Sequence, residues 1–124
     1  MANFQEVTRL SLPANADLSA DQYKFVVVNS SGKVAVNTTS GGRVAGVLDN
    51  KPNAADVTAV VTRFGAKALV KAGAAITRGA LVMSDNAGLA VTATTGGHIQ
   101  GQALQAAGAS GDIIEISLDY QGTV

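Results

Sequence analysis

The sequence predicts an all-β fold, a small single-domain β-barrel or sandwich of short strands with an extended N-terminal arm. Three observations predict it. Short β-branched runs recur along the chain, each closed by Gly, Asn, Asp or Ser. Where a run is long enough to show a period, as in Val57-Thr58-Ala59-Val60-Val61-Thr62-Arg63 and Ile113-Ile114-Glu115-Ile116-Ser117-Leu118, apolar side chains mostly alternate with small polar ones. That is the pattern of a strand with one buried face. Finally, the alanine-rich stretches Gly65 to Ala75 and Gln102 to Ala109 are broken by Gly73, Gly101, Gly108 and Gly111. Each glycine costs roughly 1 kcal/mol relative to alanine inside a helix, so these stretches read as strands and loops with at most one helical turn.

In chain order, residues 1–20 stand apart: Phe4, Val7, Leu10 and Leu12 lie among polar residues, Pro13 breaks the stretch, and no glycine occurs before Gly32. Two readings stay open for this segment. As an arm it is mobile to about residue 15 and offers those four apolar side chains to a partner's groove or sheet edge. Otherwise Glu6 to Leu12 is the first strand of the domain's own sheet. The β domain then runs over 21–124, with strands at Tyr23 to Asn29, Lys33 to Asn37, Arg43 to Leu48, Val57 to Phe64, Ala80 to Met83, Leu89 to Thr94, His98 to Leu104 and Ile113 to Leu118. An internal echo runs through them. Ser31 to Gly46 lies over Ala87 to Gly101 with one single-residue gap, keeping the order of strand, Thr-rich turn, Gly-Gly, strand and Gly. Two pseudo-repeated β-units, 23–64 and 80–119, are the resulting expectation.

Composition narrows the function. Nine Lys and Arg balance nine Asp and Glu without a run of like charge, which speaks against nucleic acid as a partner. No apolar run approaches the roughly 18 residues of a membrane span, and the first residues carry no secretory pattern, so synthesis in a cytoplasm and no membrane partner are expected. Without cysteine there is neither a disulfide framework nor zinc–thiolate chemistry. Small side chains and few aromatics are poor material for a small-molecule pocket, so neither a small-molecule substrate nor a cofactor is expected.

The polar motifs point the same way. His98 is the single histidine, which leaves no pair for a metal and reads as a strand-edge polar residue rather than a base. Asp49 and Asp56 flank the Pro52 loop and are the one candidate acid–base pair, with loop solubility as the plainer reading. Ser84-Asp85-Asn86-Ala87-Gly88 lacks the ligand pattern of a calcium loop and reads as a turn. Gly41-Gly42 and Gly96-Gly97 open no phosphate-binding helix. Gly73-Ala74-Ala75-Ile76-Thr77-Arg78-Gly79 has a spacing in which glycines take positive φ at tight turns while Ile76 points inward. Biotinyl and lipoyl carrier domains use such turns, so a carrier or accessory β domain of an enzyme complex is the alternative function, although no lysine stands at the hairpin tip after Met83. No catalytic residue, metal site or cofactor site is expected.

The order Ala72 to Val82, then Asp85-Asn86-Ala87-Gly88, then Ile99 to Leu104, then Gly111 to Leu118 resembles the capsid decoration, or cement, proteins of tailed bacteriophages over roughly residues 20–119. The resemblance implies a structural protein on the virion surface that binds the major capsid protein at three-fold or quasi-three-fold positions and stabilises the expanded head. It implies a homo-trimer on the capsid and an N-terminal arm that shares in the contact, through Phe4, Val7, Leu10 and Leu12.

Overall fold

A computed structural model describes residues 9–124 and contains ten strands and, among those residues, no helix. The strands are β1 (Arg9–Pro13), β2 (Phe25–Val28), β3 (Val34–Val36), β4 (Gly46–Leu48), β5 (Thr58–Thr62), β6 (Ala66–Lys71), β7 (Leu81–Ser84), β8 (Ala90–Thr92), β9 (Gly101–Ala103) and β10 (Ile113–Leu118). They form two antiparallel five-stranded sheets, ordered β1-β5-β4-β2-β3 and β6-β10-β9-β7-β8. The arrangement is sandwich-like and neither sheet closes into a barrel. Each sheet does curl until its edges touch at one point, through parallel bridges between Ala14 and Val34 and between Ala72 and Ala90.

The second sheet repeats the strand order and register of the first. Val26 pairs with Val36 and Gly46 in the first sheet, and Val82 pairs with Thr92 and Gly101 in the second. Thr62 lies between Arg9 and Val47, as Ser117 lies between Lys67 and Gln102. The residues of the sequence echo therefore occupy matching places, Gly46 against Gly101 among them. A Cβ at Gly46 would fall onto the Thr62 carbonyl oxygen, and a Cβ at Gly101 onto that of Ser117. Glycine is needed at both places for strand approach rather than for its φ.

The expected strands Arg43 to Leu48 and His98 to Leu104 are shorter than predicted, beginning only at Gly46 and Gly101. In each, the residue before the glycine makes the bond to the neighbour: Ala45 N donates to Val26 O and Gln100 N to Val82 O, both at 2.8 Å. An extra residue of this kind bulges the strand entry and ends the ladder. Ala66–Lys71, inside a stretch read only as strands and loops, is a full strand of six residues.

Two packed clusters hold the sheets. Ala14, Leu18, Val26, Val34, Leu48, Ala59 and Val61 fill the first, with Leu10, Leu12 and Val36 partly buried against it. The larger cluster centres on Val70, Val82, Ile114, Ile116 and Leu118 of the second sheet, yet it also takes Phe25, Val44 and Val47 from the first half. Phe25 and Val47 are register partners, and their neighbours Val26 and Leu48 serve the other cluster. Thus β4 and the first half of β2 are buried on both faces, which explains why Phe25-Val26 and Gly46-Val47-Leu48 show no polar alternation, while Val28 at the end of β2 is exposed.

Of the two readings of the N-terminus, residues 9–13 take the strand one. All five pair with β5, from Arg9 opposite Thr62 to Pro13 opposite Thr58. Leu10 and Leu12, reserved by the arm reading for a partner, point alternately into the chain's own core because a paired strand buries every second side chain. Phe4 and Val7 lie outside the described residues.

Candidate functional site

The polar residues singled out in the sequence do not converge. Asp49 Oδ2 lies 3.5 Å from Arg9 Nη1, whereas Asp56 Oδ1 pairs with Lys33 Nζ at 2.8 Å, so the two carboxylates of the candidate acid–base pair are neutralised by different cations. His98 is more than a strand-edge residue: its Nδ1 is 2.6 Å from Tyr120 Oη, the two rings stack at 5.7 Å, and Arg43 covers the Tyr120 ring at 4.4 Å. Phe64 meets the same ring edge-on at 6.1 Å. This knot ties the chain's C-terminal end to its middle. In the Ser84 to Gly88 run, Asp85 Oδ1 accepts from Ala87 N at 2.8 Å and Leu89 N at 2.9 Å, which occupies the carboxylate in a turn. Of the glycines flanking Ile76, only Gly79 has positive φ, at 88°. Gly73 is closely packed, a Cβ there falling 2.7 Å from Asp85 Oδ2 and 3.0 Å from Leu89 Cβ, and Ile76 is buried as expected. No group of three or more His, Cys, Asp or Glu side chains able to hold a metal occurs among the described residues.

A groove of about 340 Å³ runs where β6 and β10 approach β1, lined by Arg9, Asp49, Thr62, Lys67, Leu69 and Glu115 among others. Its charges are matched in pairs, Arg9 with Asp49 and Lys67 with Glu115, the latter at 3.5 Å. Such a groove has no surplus charge with which to attract an ion.

The distinctive surface is the sheet face beside it. Alternation along β6 and β10 sends Ala68, Val70, Ile114, Ile116 and Leu118 inward. Lys67, Leu69, Ile113 and Glu115 therefore point outward, where Leu69 is 41% and Ile113 48% exposed. Leu104, just past β9, is 37% exposed and is held beside them because its N–H donates to Glu115 O at 2.9 Å. At the matching places of the first sheet stand Ser11, Asp49 and Thr58, as the pairs Ser11 with Val60 and Pro13 with Thr58, and the bond from Asp49 N to Val60 O, show. One sheet thus carries small polar or charged groups where the other exposes three large apolar ones. Exposed apolar groups ringed by charge are the usual composition of a protein-contact surface. Sequence reasoning missed Leu69, Leu104 and Ile113 because they sat inside apolar runs; the signal was available in Ile113, the one residue of Ile113 to Leu118 out of phase with the alternation.

Fold and surface together define a class, a small β-sandwich domain with an exposed apolar patch on one sheet face. A family model described as phage cement protein matches residues 4–118, and the chain belongs to that family, which makes it a phage capsid-associated structural protein. The fold is similar to that of the head fiber gp8.5 N base in bacteriophage phi29, with a TM-score of 0.73 and 17% sequence identity over 94% of this chain and 98% of that one. No curated protein matches the sequence.

Proposed function

We propose that this chain decorates the phage head by binding the outer surface of the major capsid protein lattice. Seated as a homo-trimer at three-fold or quasi-three-fold positions, it ties neighbouring capsid subunits together in the expanded shell. Membership of the cement family supports the class of partner. The observation that carries the reading further is the exposed set Leu69, Leu104 and Ile113 bordered by Lys67 and Glu115. Apolar groups supply affinity as they leave water, about 25 cal/mol per Å², while the bordering ion pair sets orientation. In this reading Leu10 and Leu12 anchor β1, and Phe4 and Val7 supply the contact the arm was expected to make.

The test is binding to undecorated expanded capsids. Leu69→Glu with Ile113→Glu should fold normally, since both side chains are exposed, and should weaken binding at least about tenfold, or 1.4 kcal/mol. Unchanged binding would place the contact elsewhere. Cryo-electron microscopy of decorated capsids decides the assembly: isolated copies without mutual contact would exclude the trimer.

A further inference from the structure

Besides the loop from Asn37 to Gly42, which bonds to Ser84, Asp85, His98 and Gln100 of the second half, the two sheets meet through a contact that the two halves do not share equally. Lys71, at the seam where β6 meets β8, donates its N–H to Tyr23 O of the first half at 2.9 Å, and the hairpin tip at Gly88 accepts from Phe25 N at 2.7 Å. A Cβ at Gly88 would touch Val36, the Phe25 carbonyl oxygen and Lys24. The matching tip in the first half, Gly32, has nothing within 4 Å among the described residues. Among the described residues the first half therefore presents a covered outer face and a bare seam, and the second half a covered seam and a bare outer face. Contacts of this heterologous kind leave complementary free ends, which close into rings or run on as filaments.

Both free ends carry a residue that cancels the repeat of that contact. The register puts Pro13 opposite Thr58 as it puts Lys71 opposite Ile113, so Pro13 holds Lys71's place on the bare seam and has no N–H to donate. At the other end, Gly79 holds the place of Tyr23: Gly79 N donates to Ala103 O as Tyr23 N donates to Leu48 O, both with positive φ. The carbonyl oxygen that would need the missing Lys71-type donor is that of Gly79, and Gln102 Nε2 already donates to it at 3.0 Å. Gln102 holds the place of Val47, which in the first half is 1% exposed against the second. The donor is absent at one end, and the acceptor is satisfied internally at the other. We propose that Pro13 and Gln102 are stops that keep copies of this chain from joining head to tail, so that any trimer is built through other faces.

Restoring the interior residues at both ends tests this without a capsid. In the variant Pro13→Lys with Gln102→Val, sedimentation velocity should show concentration-dependent association at least about tenfold tighter than in the parent chain. Should Pro13→Lys disturb β1, Pro13→Ala restores the same N–H with a smaller side chain. The contact is identified by Ser31→Cys at the bare tip and Ala80→Cys at the place matching Lys24, in a chain with no other cysteine. A short bis-maleimide should link copies only in the reversed background. Equal cross-linking in the parent background, or no association in either reversed variant while circular dichroism shows both folded, would overturn the proposal.

Discussion

Gln100 is fully buried and its Nε2 faces two carbonyl oxygens, Gly42 O at 3.1 Å and His98 O at 3.3 Å, while its Oε1 has no partner among the described residues. Gln100→Glu replaces the donor with a carboxylate aimed at two acceptors. It should cost about 3–5 kcal/mol at neutral pH, as an uncompensated buried charge does. Because burial raises that acid's folded pKa, the penalty should shrink as pH falls toward the ordinary glutamate value of about 4.3; urea unfolding at several pH values checks both parts. Asp17 shows the opposite sign. Hydrogen bonding from Ser19, its side chain first and its N–H second, lowers the Asp17 pKa below the usual carboxylate value. Its contribution is present above the unfolded pKa and is lost as pH falls through the folded one. Asp17→Asn should therefore lower stability slightly at neutral pH and leave it unchanged in strong acid, which flattens the acid limb. Gly101→Ala is harsher, since its methyl would meet the Ser117 backbone; a loss of about 1–3 kcal/mol is expected.

At the scale of elements, β1 decides what truncation does. Removing residues 2–8 leaves every pair from Arg9 to Pro13 in place, and the thermal midpoint should hardly move. Extending the deletion through residue 13 strips an edge strand and uncovers the cluster beneath Leu10 and Leu12, which should cost at least about 2 kcal/mol. Calorimetry of the two truncations separates the effects. The sequence showed most strands because alternation and turn residues are local signals, as at Val57 to Arg63. It left β1 undecided because that strand's partner is β5, and nothing within Glu6 to Leu12 announces a partner so distant. Within the stretch from Gly65 to Ala75, read as strands and loops, the bounds of β6 were not legible because alanine has little preference for strands, although Ala66, Ala68 and Val70 alternate with Lys67, Leu69 and Lys71. The candidate face was the least legible part: which of Leu69 and Val70 meets water depends on register, and register is fixed by β10.

For the molecule as a whole, Phe25 and Val47 place the outer face of one sheet inside the core of the other. The two sheets should consequently unfold in a single transition by calorimetry and by denaturant. Residues 66–124 expressed alone would expose the surface that Phe25 covers and should not fold stably. Phe25→Ala should destabilise the whole chain by about 3–5 kcal/mol.

The distance in sequence between β1 and its partner also sets a schedule for synthesis. Arg9 pairs with Thr62, so the first strand leaves the ribosome and waits for roughly 50 more residues before its ladder can form, on the order of 3–10 s at usual elongation rates. During that interval Leu10 and Leu12 are in water and the edge they belong to is open. Non-local pairing of this kind makes refolding slow, and it makes the nascent chain, rather than the finished protein, the form most exposed to aggregation and to capture by chaperones.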